Sequence, residues 1–166
     1  MELSEHYESL FAKVQKTTKR KLSLEALKKQ MEQQELQGEA AEEYVLKYEM
    51  TRLADSPIVQ RIKRISDIDV SAGYDIVSFE GGASTEYDRF IEVKSYVGQP
   101  HFYWSKNEIE IATLYADKYY LYLVNADSIN QPDYSPTVIR NPAKSVIESD
   151  EWLMQPTSYF VLPVGK

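Results

Sequence analysis

The feature that most constrains this chain is a pair of short β-forming runs joined by a glycine-containing loop. Tyr74-Asp75-Ile76-Val77-Ser78-Phe79 reads as one strand and Arg89-Phe90-Ile91-Glu92-Val93-Lys94-Ser95-Tyr96 as its partner. Glu80 to Asp88, with Gly81-Gly82 inside, is the hairpin connection. Glu92 and Lys94 are two residues apart, so both project to one side of their strand. A glutamate and a lysine inside an apolar strand are costly unless they pair or hold an ion. The hairpin therefore predicts a polar site built into a sheet.

The rest of the chain predicts what surrounds that hairpin. Residues 4–36 lack Pro and Gly and are rich in strong helix formers, which predicts one or two helices broken near Thr17-Thr18. Gly38 is expected to end them. A further helix is expected from Ala40 to about Leu53, with Ala41, Val45, Tyr48 and the stem of Arg52 on one face. After Ser56-Pro57, the β-branched run Ile58 to Ile65 reads as a strand. His101 to Trp104 reads as another. Ser105, followed three residues later by Glu108, is a capping box opening a helix from Lys106 to Ala116. Ile109, Ala112, Thr113 and Ala116 recur at helical spacing along it. Lys118 to Asn125 is strongly β-forming. The remainder is turn-rich, with two short apolar runs, Thr137–Arg140 and Tyr159–Val164. The order predicts an α/β fold with a mixed central sheet flanked by helices. It is expected to be divided into a helical arm, 1–37, and a domain, 38–166.

Composition narrows the functional classes. The chain has 166 residues, 43% of them apolar, which is enough for a real core. It contains no cysteine, which excludes disulfides and thiolate zinc sites and suits a reducing, cytoplasmic setting. No apolar run is long enough to span a membrane, and MELSEHYESL is too polar for a secretory signal. The net charge is −7, unevenly spread: residues 1–37 carry +1 and the remainder −8. Lys19-Arg20-Lys21 is a short basic cluster that reads as a solvated helix face or a phosphate contact.

The residue types at the hairpin suit phosphodiester hydrolysis. That reaction uses a hard cation to polarise a phosphoryl oxygen and to lower the pKa of water. Mg²⁺ (or Mn²⁺) favours one or two carboxylates with water and substrate phosphate. Asp75 and Glu92 can supply the carboxylates, and the Val93 carbonyl a third ligand. Lys94 can orient water or stabilise transition-state charge. His6 and His101 do not form a metal pair by spacing, and Phe102, Tyr103 and Trp104 suit either a core or base stacking.

Gly73-Tyr74-Asp75-Ile76, the loop, and Ile91-Glu92-Val93-Lys94 resemble the PD-(D/E)XK nuclease superfamily, in its restriction-endonuclease-like, Mrr-related branch. Gly38-Glu39-Ala40-Ala41-Glu42 is similar to the Gly-x-x-x-Glu opening of the first helix in such families, which implies a site role for Glu42. Ser105-Lys106-Asn107-Glu108 before Tyr119-Tyr120-Leu121-Tyr122 resembles the family named for the C-terminal region of the plant protein NO VEIN. Tyr74 stands where the superfamily name implies proline. The resemblance covers about residues 38–126. It implies a restriction-endonuclease-like fold and a Mg²⁺-dependent endonuclease acting on nucleic acid, with DNA the expected substrate, in a defence or restriction-type setting. The alternative is a catalytically inactive module of the same fold that binds nucleic acid or a protein partner. The helical arm could also carry a homo-oligomer contact.

Overall fold

The computed structural model describes residues 24–157. The chain separates into two units, residues 1–36 and 37–166. The expected break near Thr17-Thr18, the basic cluster Lys19-Arg20-Lys21, His6 and the Tyr159–Val164 run lie outside the described residues.

The first helix among the described residues, α1, runs without interruption from Leu24 to Arg52. Gly38 does not end it, contrary to expectation. Glycine weakens a helix interior by only about 0.5–1 kcal/mol relative to alanine, and the strong helix formers on either side outweigh that. Residues 25–36 are exposed, including Leu27, Met31 and Leu36. From residue 41 the helix acquires a buried row at every fourth position: Ala41, Val45 and Glu49. Leu53 closes it.

Among the described residues, five strands form one sheet in the order β1-β2-β3-β4-β5: Lys63–Arg64, Ile76–Ser78, Arg89–Tyr96, Tyr119–Asn125 and Thr137–Arg140. β2 and β3 are the expected antiparallel hairpin, with Ile76 opposite Ile91. β3 and β4 are parallel, with Glu92 beside Leu121 and Lys94 beside Leu123. The connection between them is helix α2, Lys106–Tyr115, because a parallel pair requires a crossover. β1 and β5 join antiparallel at the two edges.

Two expected strands are different structures. The first half of Ile58–Ile65 lies in a 3₁₀ turn, Pro57–Arg61, capped by the Ser56 side chain, and only Lys63–Arg64 pairs as a strand. Proline supplies the φ of a first helical position, which overrides the β-branched composition. Among the described residues His101–Trp104 pairs with no strand, and Phe102 instead packs edge-on against Trp104 and Trp152.

The sheet alternates cleanly. Ile76, Ile91, Val93, Tyr120, Tyr122 and Val124 point into a core shared with Ala41 and Val45 of α1 and with Leu53 just after it. Glu92 and Lys94, one residue out of phase with that set, point to the opposite face. There Phe90 stacks on Tyr115 of α2 at 4.1 Å and Ala112 is buried.

Two charged residues, Glu49 and Arg89, are buried on the α1 side. Glu49 has no exposed surface. It accepts from Arg52 Nη2 and Ser78 Oγ, both at 2.7 Å, and from the Tyr122 hydroxyl at 2.5 Å. Arg89 lies 3.5 Å away and also donates to Tyr122 Oη. Burial would raise the Glu49 carboxyl, but Arg52, Arg89, Tyr122 and Ser78 together hold it below its ordinary range.

Candidate functional site

Asp75 sits one residue before β2, at a crossing of three strands. Its backbone N–H donates to Ile91 O at 2.8 Å, and its carbonyl accepts from Ile65 N at 2.6 Å. These bonds fix the backbone from both sides. The side chain bends toward β3, where Oδ2 accepts from the Val93 N–H at 2.8 Å. Burial raises its carboxyl above the ordinary range. The nearby charges of Glu42 and Glu108 push the same way, while the Val93 bond and Lys94 oppose.

Glu92 is 5% exposed. Its pKa is also raised, first by burial and then by Asp75 and Glu108, against the pull of Lys94. The two carboxylates thus disfavour each other's ionisation. Lys94 Nζ lies 2.7 Å from Glu92 Oε1 and 2.9 Å from Glu108 Oε2. Burial alone would lower the Lys94 ammonium, but Glu92 and Glu108 outweigh it and hold its pKa above the ordinary value. This is a mostly buried cluster, not a pair on an exposed strand face.

Asp75, Glu92 and Glu108 line a cleft of about 440 Å³, together with Ser71, Gly73 and Ser105. The loop on one side of it is held in shape by α2 and β4. Asn107 Nδ2 donates to Ser71 O at 2.9 Å, and the Tyr119 hydroxyl donates to Gly73 O at 2.7 Å. Gly73 has φ +77° and packs directly on Ile111, so this position requires glycine.

Glu42 is held beside this group rather than within it. Its Oε2 accepts from Arg64 Nε at 2.7 Å and Ser66 Oγ at 2.5 Å. Its charge still reaches Asp75. Val93 places its side chain in the α1-side core and gives its N–H to Asp75. Among the described residues, no three His, Cys, Asp or Glu side chains gather closely enough to hold a metal ion. His101 stays apart, with its ring bonded to Gln99 O.

The donor chemistry suits a hard divalent cation. Two oxygen-donating carboxylates share one cleft and repel each other, and a cation would relieve that repulsion. Two carboxylates with solvent are a usual Mg²⁺ set.

The sequence left Asn107 and Glu108 either contacting the site or merely capping the helix, with capping adequate for Glu108, and its bond to Lys94 was missed. Its carboxylate does accept from Ser105 N–H at 3.0 Å, and the Ser105 hydroxyl accepts from Glu108 N–H. The same Oε2 also accepts from Lys94. The topology carried a usable signal: a helix crossing between parallel strands begins near their C-terminal ends, and Lys94 lies towards that end of β3. Arg64 and Ser66 were also missed, because their role depends on β1 lying beside α1.

No membrane-crossing helix is present among the described residues. No curated protein and no solved structure matches the chain. A family model does match, over residues 41–138. That span contains Glu42, Asp75, Glu92, Lys94 and Glu108 along with the whole α2 crossover. It covers more than half of the 166 residues, so the chain belongs to the family described as Protein NO VEIN, C-terminal.

Proposed function

We propose that this domain is a metal-dependent endonuclease of the PD-(D/E)XK type, acting on DNA. The single observation that carries the reading is the cleft in which Asp75 and Glu92 are both raised in pKa, with Lys94 bonded to Glu92. Carboxylates buried against each other are unfavourable in a purely structural role, and such perturbed groups in a cleft mark functional sites.

In this reading Asp75 and Glu92 hold Mg²⁺ or Mn²⁺, with the Val93 carbonyl as a further donor. The ion would polarise the scissile phosphate and lower the pKa of water. The chain's own residues do the rest. The Val93 N–H fixes one oxygen of Asp75. Lys94 bears on the attacking water and on the charge that accumulates at phosphorus. Hydrolysis joins the water oxygen to phosphorus and breaks one P–O ester bond, with a water proton ending on the leaving oxygen. Glu42 adjusts the field at Asp75 while tied to Arg64 and Ser66. A role in a defence or restriction-type system belongs to the same proposal.

The test is cleavage of plasmid DNA with Mg²⁺ or Mn²⁺, comparing wild type with Lys94→Ala. Cation-dependent cleavage by the wild type, reduced at least about 100-fold in the variant, supports the reading. Equal cleavage by both, or none by the wild type on DNA or RNA, overturns it.

The net charge of −7 favours a second reading, a non-catalytic module of this fold that binds nucleic acid or a protein partner. It predicts no thermal shift with divalent ions and unchanged partner binding after Asp75→Asn.

A further inference from the structure

Lys94 has two carboxylate partners, and they differ in how they are held. Glu92 is on the same strand and faces Asp75. Glu108 is on α2, where the capping box fixes it: its Oε2 accepts from Ser105 N–H at 3.0 Å and from Lys94 Nζ at 2.9 Å. A single carboxylate oxygen thus ties the start of α2 to the lysine of β3. In the nuclease reading Glu92 also serves a cation. A carboxylate engaged by a divalent ion holds an ammonium group less strongly, because its charge is shared. Lys94 would then be free to swing on its four-carbon stem.

We propose that Glu108 is a positioning residue that retains Lys94 beside the cleft-lining carboxylates when Glu92 is engaged by a divalent cation. The inference rests on the nuclease reading for that cation, but the tether itself is a property of Glu108, Ser105 and Lys94. The geometry separates its two jobs. Glutamine at 108 keeps an acceptor for Ser105 N–H but loses the charge that holds Lys94. Alanine at 105 removes the hydroxyl that accepts from Glu108 N–H and leaves the Lys94 pair intact.

The experiment measures acylation of Lys94 by an amine-reactive reagent, read by peptide mass spectrometry, with and without Mn²⁺. Wild type, Glu108→Gln and Ser105→Ala are compared after their melting temperatures establish that all are folded. In Glu108→Gln, added Mn²⁺ is expected to raise Lys94 labelling about 10-fold, following loss of a charged hydrogen bond. Wild type and Ser105→Ala should change less than about threefold. Equal Mn²⁺ responses in wild type and Glu108→Gln would overturn the tether. So would loss of Mn²⁺ binding by Glu108→Gln in calorimetry, which would make Glu108 a ligand.

DNA cleavage supplies the second readout. Glu108→Gln should lower kcat about 10- to 100-fold with KM within about threefold, and Glu108→Asp should recover part of the loss. An unchanged kcat overturns the positioning role. If the wild type binds no Mn²⁺ and cuts nothing, the nuclease reading fails by itself. The tether then stands on faster labelling of Lys94 in Glu108→Gln than in wild type, and falls if the two are equal.

Discussion

The Val93 backbone N–H donates to Asp75 Oδ2 at 2.8 Å, so the strand that carries Glu92 and Lys94 also orients the carboxylate opposite them. Asp75 is thereby fixed by a main-chain group, and its position does not depend on a flexible partner. It is held between a donor that favours its charge and surroundings that oppose it.

That conflict makes stability depend on pH. Asp75 and Glu92 both have raised pKa values in the folded state. Raised carboxylates favour the fold while protonated, so their contribution is complete below the unfolded value of about 4. It is lost as pH rises through their folded values. Asp75→Asn keeps an acceptor for Val93 N–H and has no charge to bury. It should exceed the wild type in stability by about 1–3 kcal/mol at pH 8.5 without divalent ions, and the gap should close towards pH 4. Chemical denaturation across that range checks it.

Divalent ions should reverse the order. Ligand at about 100 times its Kd stabilises a protein by about 2.7 kcal/mol. Mn²⁺ at such an excess should raise the wild-type Tm at pH 8 and leave Asp75→Asn and Glu92→Gln unmoved. Thermal scans of the three proteins decide it.

Glu49 is a stability residue with no access to the cleft. Four partners converge on it across α1, β2, β3 and β4. Glu49→Ala leaves Arg89 with the half-exposed Glu80 as its counter-charge and takes the buried acceptor from Ser78 and Tyr122, and should cost about 3 kcal/mol. Urea denaturation measures the loss.

The two informative glycines should respond with opposite signs. A Cβ at Gly73 would meet Ile111 Cγ1 at 2.8 Å on a backbone with φ +77°. Gly73→Ala should cost about 2–4 kcal/mol and disturb the cleft loop. A Cβ at Gly38 meets nothing within 4 Å in mid-helix. Gly38→Ala should stabilise by about 0.5–1 kcal/mol. Circular dichroism melts of both variants check the pair.

The amino-acid sequence by itself determined the β2–β3 hairpin, the Ser105 capping box, β4 and the phase that puts Glu92 and Lys94 on one side of their strand. These are local: strand alternation, turn residues and caps act within a few positions. Tertiary structure decided the rest. Beyond the local outcomes at Gly38, where neighbouring helix formers prevail, and at Pro57–Arg61, where proline does, it set which elements meet. It buried Glu49, which lies on the Ala41–Val45 row but is tolerated only because Arg52, Arg89, Ser78 and Tyr122 arrive from elsewhere in the chain. It also brought Glu108 to Lys94 from fourteen positions away. A parallel crossover sets that meeting, and the capping pattern that revealed the helix carries no record of which side chain its glutamate would hold.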